Sequence, residues 1–163
     1  MRNFGSICLI TMVLGLSIYG CNNHESGVTT TEIDKKTKFD SLLAQKLGAD
    51  DYGMRSYVMA FLKTGSVNFD SGTSAKLGRG HMENIGRLAN EGKLVLAGPF
   101  MGDSVYRGIY VFDVQSLEEA RELTQTDPAI KAGIFDIELI PWYGSAALME
   151  VNRIHEQIAK IMF

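Results

Sequence analysis

The sequence predicts an α+β domain in the order strand–helix–strand–strand–helix–strand, carried between about residues 54 and 143. Three observations predict it. Four short runs are rich in β-branched and aromatic residues. Two segments repeat their apolar residues with the 3.6-residue period of a helix. Only the second and third runs are separated by a turn short enough for a hairpin. That order is the ferredoxin-like split arrangement βαββαβ, a four-stranded antiparallel sheet with both helices on one face.

Each element has its own justification. SYVMAFLK (residues 56–63) is apolar on both faces, as a strand covered on both sides should be. Residues 64–73 are a loop of Gly, Asn, Asp and Ser. A helix follows and runs to about Asn90, where Glu91-Gly92 is a stop signal. On a wheel of about 100° per residue, Leu77, His81, Ile85 and Leu88 fall within one quarter-turn, so a histidine interrupts the buried stripe. KLVLAGPF (93–100), the turn MGDSV (101–105) and YRGIYVFDV (106–114) form the hairpin. Ser116 and Glu119 have capping-box spacing, and Leu117, Ala120 and Leu123 form the stripe of the second helix. Asp127-Pro128 opens a further turn that Ala132-Gly133 closes. IFDIELI (134–140) is the fourth strand, and Pro141 is expected to limit it.

A sheet with helices on one face leaves the other bare. Apolar side chains from residues 57–62, 110–112 and 135–139 would cover that face, and a two-fold homodimer is the simplest way to bury it. Beyond Ser145, the residues Leu148, Val151, Ile154 (or His155), Ile158 and Met162 recur at helical spacing. This extra C-terminal amphipathic helix, within residues 144–163, either covers the domain or embraces the partner.

The amino-terminal residues 1–21 form a segment of another kind. One early charge, Arg2, precedes an apolar run over residues 7–18, too short for the roughly 20 residues that span a bilayer. The run ends in Ile-Tyr-Gly-Cys at residues 18–21, which resembles the lipobox of bacterial lipoproteins. The resemblance implies lipidation at Cys21, membrane attachment through that lipid and a place in the bacterial cell envelope, without separating inner from outer membrane. The alternative is an ordinary secretory signal in which Cys8 and Cys21 are incidental. Residues 22–53 open as a polar tether. They continue as a short amphipathic helix through Phe39, Leu42, Leu43 and Leu47 that Gly48 can end.

Composition narrows the function. Sixteen basic against nineteen acidic residues give a net charge of −3, without the basic excess of a nucleic-acid-binding protein. Both cysteines precede the domain, and His24, His81 and His155 are too scattered for a ligand pair, so neither a metal nor a cofactor is expected.

The motifs GHMENI (80–85), LANEGKLVLAGP (88–99), SLEEA (116–120), Asp127-Pro128 and KAG (131–133) occur in an order that resembles the YCII-related family. The resemblance covers residues 54–143. It implies a dimeric α+β barrel and a paired His and Asp as the active site, here His81 and Asp127. The stretch between Phe100 and Tyr106 is shorter than the hairpin of many relatives.

His81 alone could be a packing residue bonded to a backbone carbonyl, and Asp127 before Pro128 could simply cap a helix. The roles are compatible, because a carboxylate has two oxygens. A His–Asp pair would act as a positioned acid/base. Ser71 and Ser74 carry no nucleophile signature, so proton transfer, isomerisation, elimination or hydrolytic dehalogenation of a small cyclic or carbonyl compound is favoured over covalent catalysis. Backbone at Gly98 and Pro99 could line the pocket, and Arg107 or Arg79 could meet an anionic substrate. Each also has a plain structural explanation, as a turn constraint or a solvated charge. Trp142 and Tyr143 are expected to pack. The remaining alternatives to an enzyme are a small-ligand-binding module without turnover and an interaction module of the envelope.

Overall fold

A computed structural model describes residues 38–161. The apolar run, Cys21 and Met162 lie outside them. The elements are α1 (Ser41–Leu47), β1 (Met54–Thr64), α2 (Ser71–Asn90), β2 (Leu94–Pro99), β3 (Tyr106–Phe112), α3 (Leu117–Thr124), α4 (Pro128–Lys131), β4 (Phe135–Ser145), a 3₁₀ turn (Ala146–Glu150) and α5 (Val151–Ile158). The four strands form one antiparallel sheet in the order β2-β3-β1-β4, so the expected α+β split arrangement is the observed one.

The period-2 alternation of β1 sorts its side chains between two cores. Val58, Ala60 and Leu62 join Tyr110 and Phe112 of β3 and Leu94 of β2 beneath Leu88, Ala120 and Ile130 of the helices. Tyr57 and Met59 point the other way, to Val95, Leu96, Val111 and Trp142. That second face is not bare as the sequence suggested. The chain turns back after β4, and Leu148 and Met149 of the 3₁₀ turn pack on it. Phe135, Ile137 and Leu139 do not lie on that face either; they pack against the helix-side core. The uncovered part is the half around Phe61, Tyr106, Phe100 and Ile140, where Phe61 and Tyr106 meet edge-to-face at 5.6 Å.

Two boundaries differ from expectation. Pro141 does not limit β4, which runs on to Ser145 with Pro141 opposite Val58. β4 is an edge strand, and an edge accommodates a residue that lacks an N–H. The first long helix starts at Ser71, inside the expected loop, because the Asp70 carboxylate caps it through the Thr73 N–H at 3.0 Å. The Ser116 cap forms as expected, accepting from the Glu119 N–H at 3.1 Å, while the Glu119 carboxylate reaches the Gln115 N–H and pairs with Lys93 at 2.9 Å. At the far end, Lys46 of α1 bonds Glu150 at 2.9 Å, and Asn152 of α5 donates to the Leu94 carbonyl at 2.8 Å.

Candidate active site

The site is assembled where α2 passes the start of α4. α2 presents His81 from its sheet-facing stripe, with the imidazole 16% exposed. Asp127 is the N-cap of α4, with Pro128 at the first helical position, and its side chain is fully buried. One carboxylate oxygen does the capping: Oδ1 accepts the N–H groups of Ala129 at 2.9 Å and Ile130 at 3.4 Å. The other, Oδ2, lies 2.6 Å from His81 Nδ1. The capping and pairing explanations of Asp127 both hold, on separate atoms.

What brings the two elements so close is Gly80. A Cβ at that position would stand 2.6 Å from Pro128 Cγ, so any larger residue would push α4 and its cap away from α2.

A third group that the sequence reading did not single out completes the cluster. The Tyr110 hydroxyl donates to Asp127 Oδ2 at 3.0 Å and lies 3.2 Å from His81 Nδ1. Its signal was available: Tyr110 alternates with Phe112 on the helix-facing side of β3, and a buried tyrosine hydroxyl usually has a partner. Phe135 closes the other side of the imidazole, with ring centroids 5.2 Å apart.

The electrostatics follow from these contacts. Burial pushes the Asp127 carboxyl up, but the hydrogen bond and charge of His81, the Ala129 N–H and the Tyr110 hydroxyl more than offset it, and the group is held below its ordinary range. Tyr110 is pushed far up by its burial and then by the Asp127 charge, so it stays a neutral donor. With an ionised acceptor at Oδ2, the proton of a neutral His81 sits on Nδ1, and Nε2 is left as the free base. Nε2 has no hydrogen-bond partner among the described residues.

Ala97 of β2 lies opposite Tyr110 in the ladder and so shares the helix-side face, yet it is exposed. Gly98, next along the strand, turns to the opposite face, where nothing stands within 4 Å of where its Cβ would be. Two hollows lie away from the pair. One is a shallow groove on the outer side of α2, along Gly78, Arg79, Met82 and Gly86. The second lies between the end of α3 and β4, with Phe135 on its wall. His81 lines neither.

Of the other candidates, Gly98 and Pro99 face Ile109 and Gly108 across the β2–β3 ladder and make no hydrogen bond to the pair. Arg107 is exposed; its carbonyl accepts the Phe100 N–H at 2.9 Å, and its guanidinium makes no bond to His81 or Asp127. Arg79 lies on the outer groove of α2. Trp142 packs on Tyr57, ring centroids 5.7 Å apart.

The model of the YCII-related domain matches residues 57–143, from β1 through β4 and including His81, Tyr110 and Asp127. The chain belongs to the YCII-related domain family. A relative of this YCII-related chain is the uncharacterized protein YjpA of Bacillus subtilis (strain 168), 32% identical over 89 residues that make up 55% of this chain and 95% of that one. Among solved structures, 5-chloro-2-hydroxyhydroquinone dehydrochlorinase (TftG) from Burkholderia phenoliruptrix AC1100, in complex with 2,5-dihydroxybenzoquinone, is similar with a TM-score of 0.41 and 16% identity, over 52% of this chain and 92% of that chain. The chemistry open to this YCII-related domain is set by its own geometry, in which a buried carboxylate holds an imidazole whose other nitrogen has no partner among the described residues.

Proposed function

We propose that this YCII-related domain is a small-molecule acid–base enzyme in which His81 moves a proton and Asp127 orients and charges it. The observation that carries the reading is the 2.6 Å contact between His81 Nδ1 and a fully buried Asp127 carboxylate, with Nε2 unpartnered among the described residues. Nε2 takes a proton from the substrate, at carbon beside a carbonyl or from a water molecule. The imidazolium so formed is stabilised by the Asp127 charge at Oδ2, and it returns the proton to another substrate atom or to a leaving group. Isomerisation, elimination and hydrolysis all use that sequence, and a positioned group of this kind contributes about 10²–10⁴ in rate. The neutral Tyr110 hydroxyl keeps the carboxylate ionised and in place.

The substrate class is a small hydroxylated or halogenated ring or a keto acid. It would enter on the helix-side face beside the exposed Ala97, with backbone at Gly98 and Pro99 and the side chain of Arg107 at its rim for an anionic group. The domain works as a homodimer held through the uncovered half of the sheet. It is anchored in the bacterial envelope by a lipid on Cys21.

A second reading is ligand binding without turnover, in which a ligand bonds the same imidazole, which is 16% exposed and lines neither of the two hollows. One screen separates the two. The full chain is offered keto acids and hydroxylated or halogenated rings, with turnover and thermal shift followed in parallel. Turnover that falls about 10²–10⁴-fold in His81→Ala supports the enzyme. Turnover equal in both proteins removes it, and binding without turnover in the wild type establishes the binder. Incorporation of labelled fatty acid, abolished by Cys21→Ala, tests the anchor.

A further inference from the structure

Position 84 lies three residues beyond His81 on α2 and is 7% exposed, a place suited to an apolar side chain. It holds an asparagine whose Nδ2 is buried with no partner among the described residues. A buried donor left unsatisfied is uncommon and unfavourable, so the carboxamide needs a reason to be there.

The reason lies on its other atom. Asn84 Oδ1 accepts from Arg87 Nη2 at 2.8 Å and lies 3.0 Å from the Thr126 hydroxyl. Arg87 Nη2 also donates to Thr126 Oγ1 at 2.8 Å, and the Thr126 proton has the Leu123 carbonyl at 2.7 Å. Glu91 holds the other arm of the guanidinium at 2.8 and 3.0 Å. Turning the carboxamide over would set Nδ2 against the arginine donors, which explains why Nδ2 is the atom left over.

Thr126 immediately precedes Asp127. Pro128 immediately follows it and seats against the bare backbone of Gly80. Both neighbours of Asp127 are therefore fastened to α2, the helix that carries His81, on either side of the imidazole. A hydrogen bond of 2.6 Å survives little displacement of either partner.

We propose that Asn84, Arg87 and Thr126 form a clasp that sets the Asp127 carboxylate on His81 Nδ1. They are positioning residues: they act through Asp127. The inference rests on the reading of His81 and Asp127 as a working pair, but it is tested without a substrate.

The readout is the ¹⁵N-edited NMR signal of the His81 Nδ1–H in the full chain, assigned by its loss in His81→Ala, and the rate at which that proton exchanges with water. Thr126→Val removes the hydroxyl and keeps the shape, and Thr126→Ser keeps the hydroxyl. Arg87→Lys keeps the charge on a half-exposed side chain but removes the planar fork. The wild type and Thr126→Ser should hold the proton, while Thr126→Val and Arg87→Lys release it at least about tenfold faster. A packing role would not distinguish serine from valine in this way. Wild-type exchange in both Thr126→Val and Arg87→Lys overturns the clasp, as does a wild type with no protected Nδ1–H. If Thr126→Val fails to fold, Arg87→Lys decides alone. A protected proton that responds to these variants in a protein without turnover would end the acid–base reading and leave the clasp standing.

Discussion

At the scale of single residues, Asp127 carries the most weight, because one buried carboxylate serves a helix cap, a histidine and a tyrosine. Its folded pKa is depressed, so the unfolded chain holds that proton more tightly than the folded one. The stability it contributes is fully present above the unfolded value, about 4, and is lost as pH falls through the folded value. Acid titration of unfolding should therefore show the wild type losing stability steeply below about pH 4. Asp127→Asn should start lower at neutral pH and stay flatter through that window, and parallel slopes would remove Asp127 as the source. Tyr110→Phe tests the same cluster from the strand. It deletes a hydrogen bond to a charged acceptor and should cost about 1.5–3 kcal/mol in urea unfolding. His81 was legible in the sequence because an imidazole interrupts an apolar stripe, whereas Asp127 before a proline reads as an ordinary helix cap and was singled out as the partner by the resemblance to the YCII-related family. Asn84 also interrupts the stripe, but the roles of Asn84, Tyr110 and Thr126 depend on which strand and loop pass beneath α2, which only the fold fixes.

At the scale of elements, α2 shows how one glycine can matter where its neighbours do not. Gly80 faces Pro128, while a Cβ added at Gly78 or Gly86 meets nothing within 4 Å. Alanine at Gly78 or Gly86 should stabilise the protein by up to about 1 kcal/mol through helix propensity alone. Alanine at Gly80 gains the same propensity but must displace a rigid ring, at about 1–3 kcal/mol of overpacking. It should be destabilising on balance in thermal unfolding, and stabilisation at all three positions would refute the close approach. The order of elements along the chain and the buried faces of the helices were readable from periodicity, because period 2 and period 3.6 are set by the backbone itself. The extent of β4 was not. Whether Pro141 ends a strand depends on whether another strand lies beyond it, and edge position is a property of the sheet rather than of the segment.

At the scale of the whole molecule, the two sheet faces are covered unequally. The helices cover one face. On the other, the chain's own Leu148 and Met149 cover the half around Tyr57, Val95 and Val111, leaving Phe61, Tyr106, Phe100 and Ile140. Phe100 and Tyr106 stack edge-to-face at 6.4 Å and, with Phe61, form an aromatic row that ends at the β2–β3 turn, where Met101 and Val105 are also exposed. The Lys63–Glu138 pair beside Phe61 interrupts the apolar side chains of this half-sheet, and a two-fold pairing would bury the half-sheet on both copies at once. The proposed homodimer therefore makes a specific claim about mass. Sedimentation of the Cys21→Ser chain in mild detergent should give twice the 18.0 kDa of one chain. Glutamate at both Tyr106 and Ile140 would set like charges facing their symmetry mates across the two-fold, at positions that are already exposed and outside the core clusters. That double variant should sediment as a folded monomer. A wild type at the mass of one chain, or a double variant that still pairs, would move the interface away from this half-sheet.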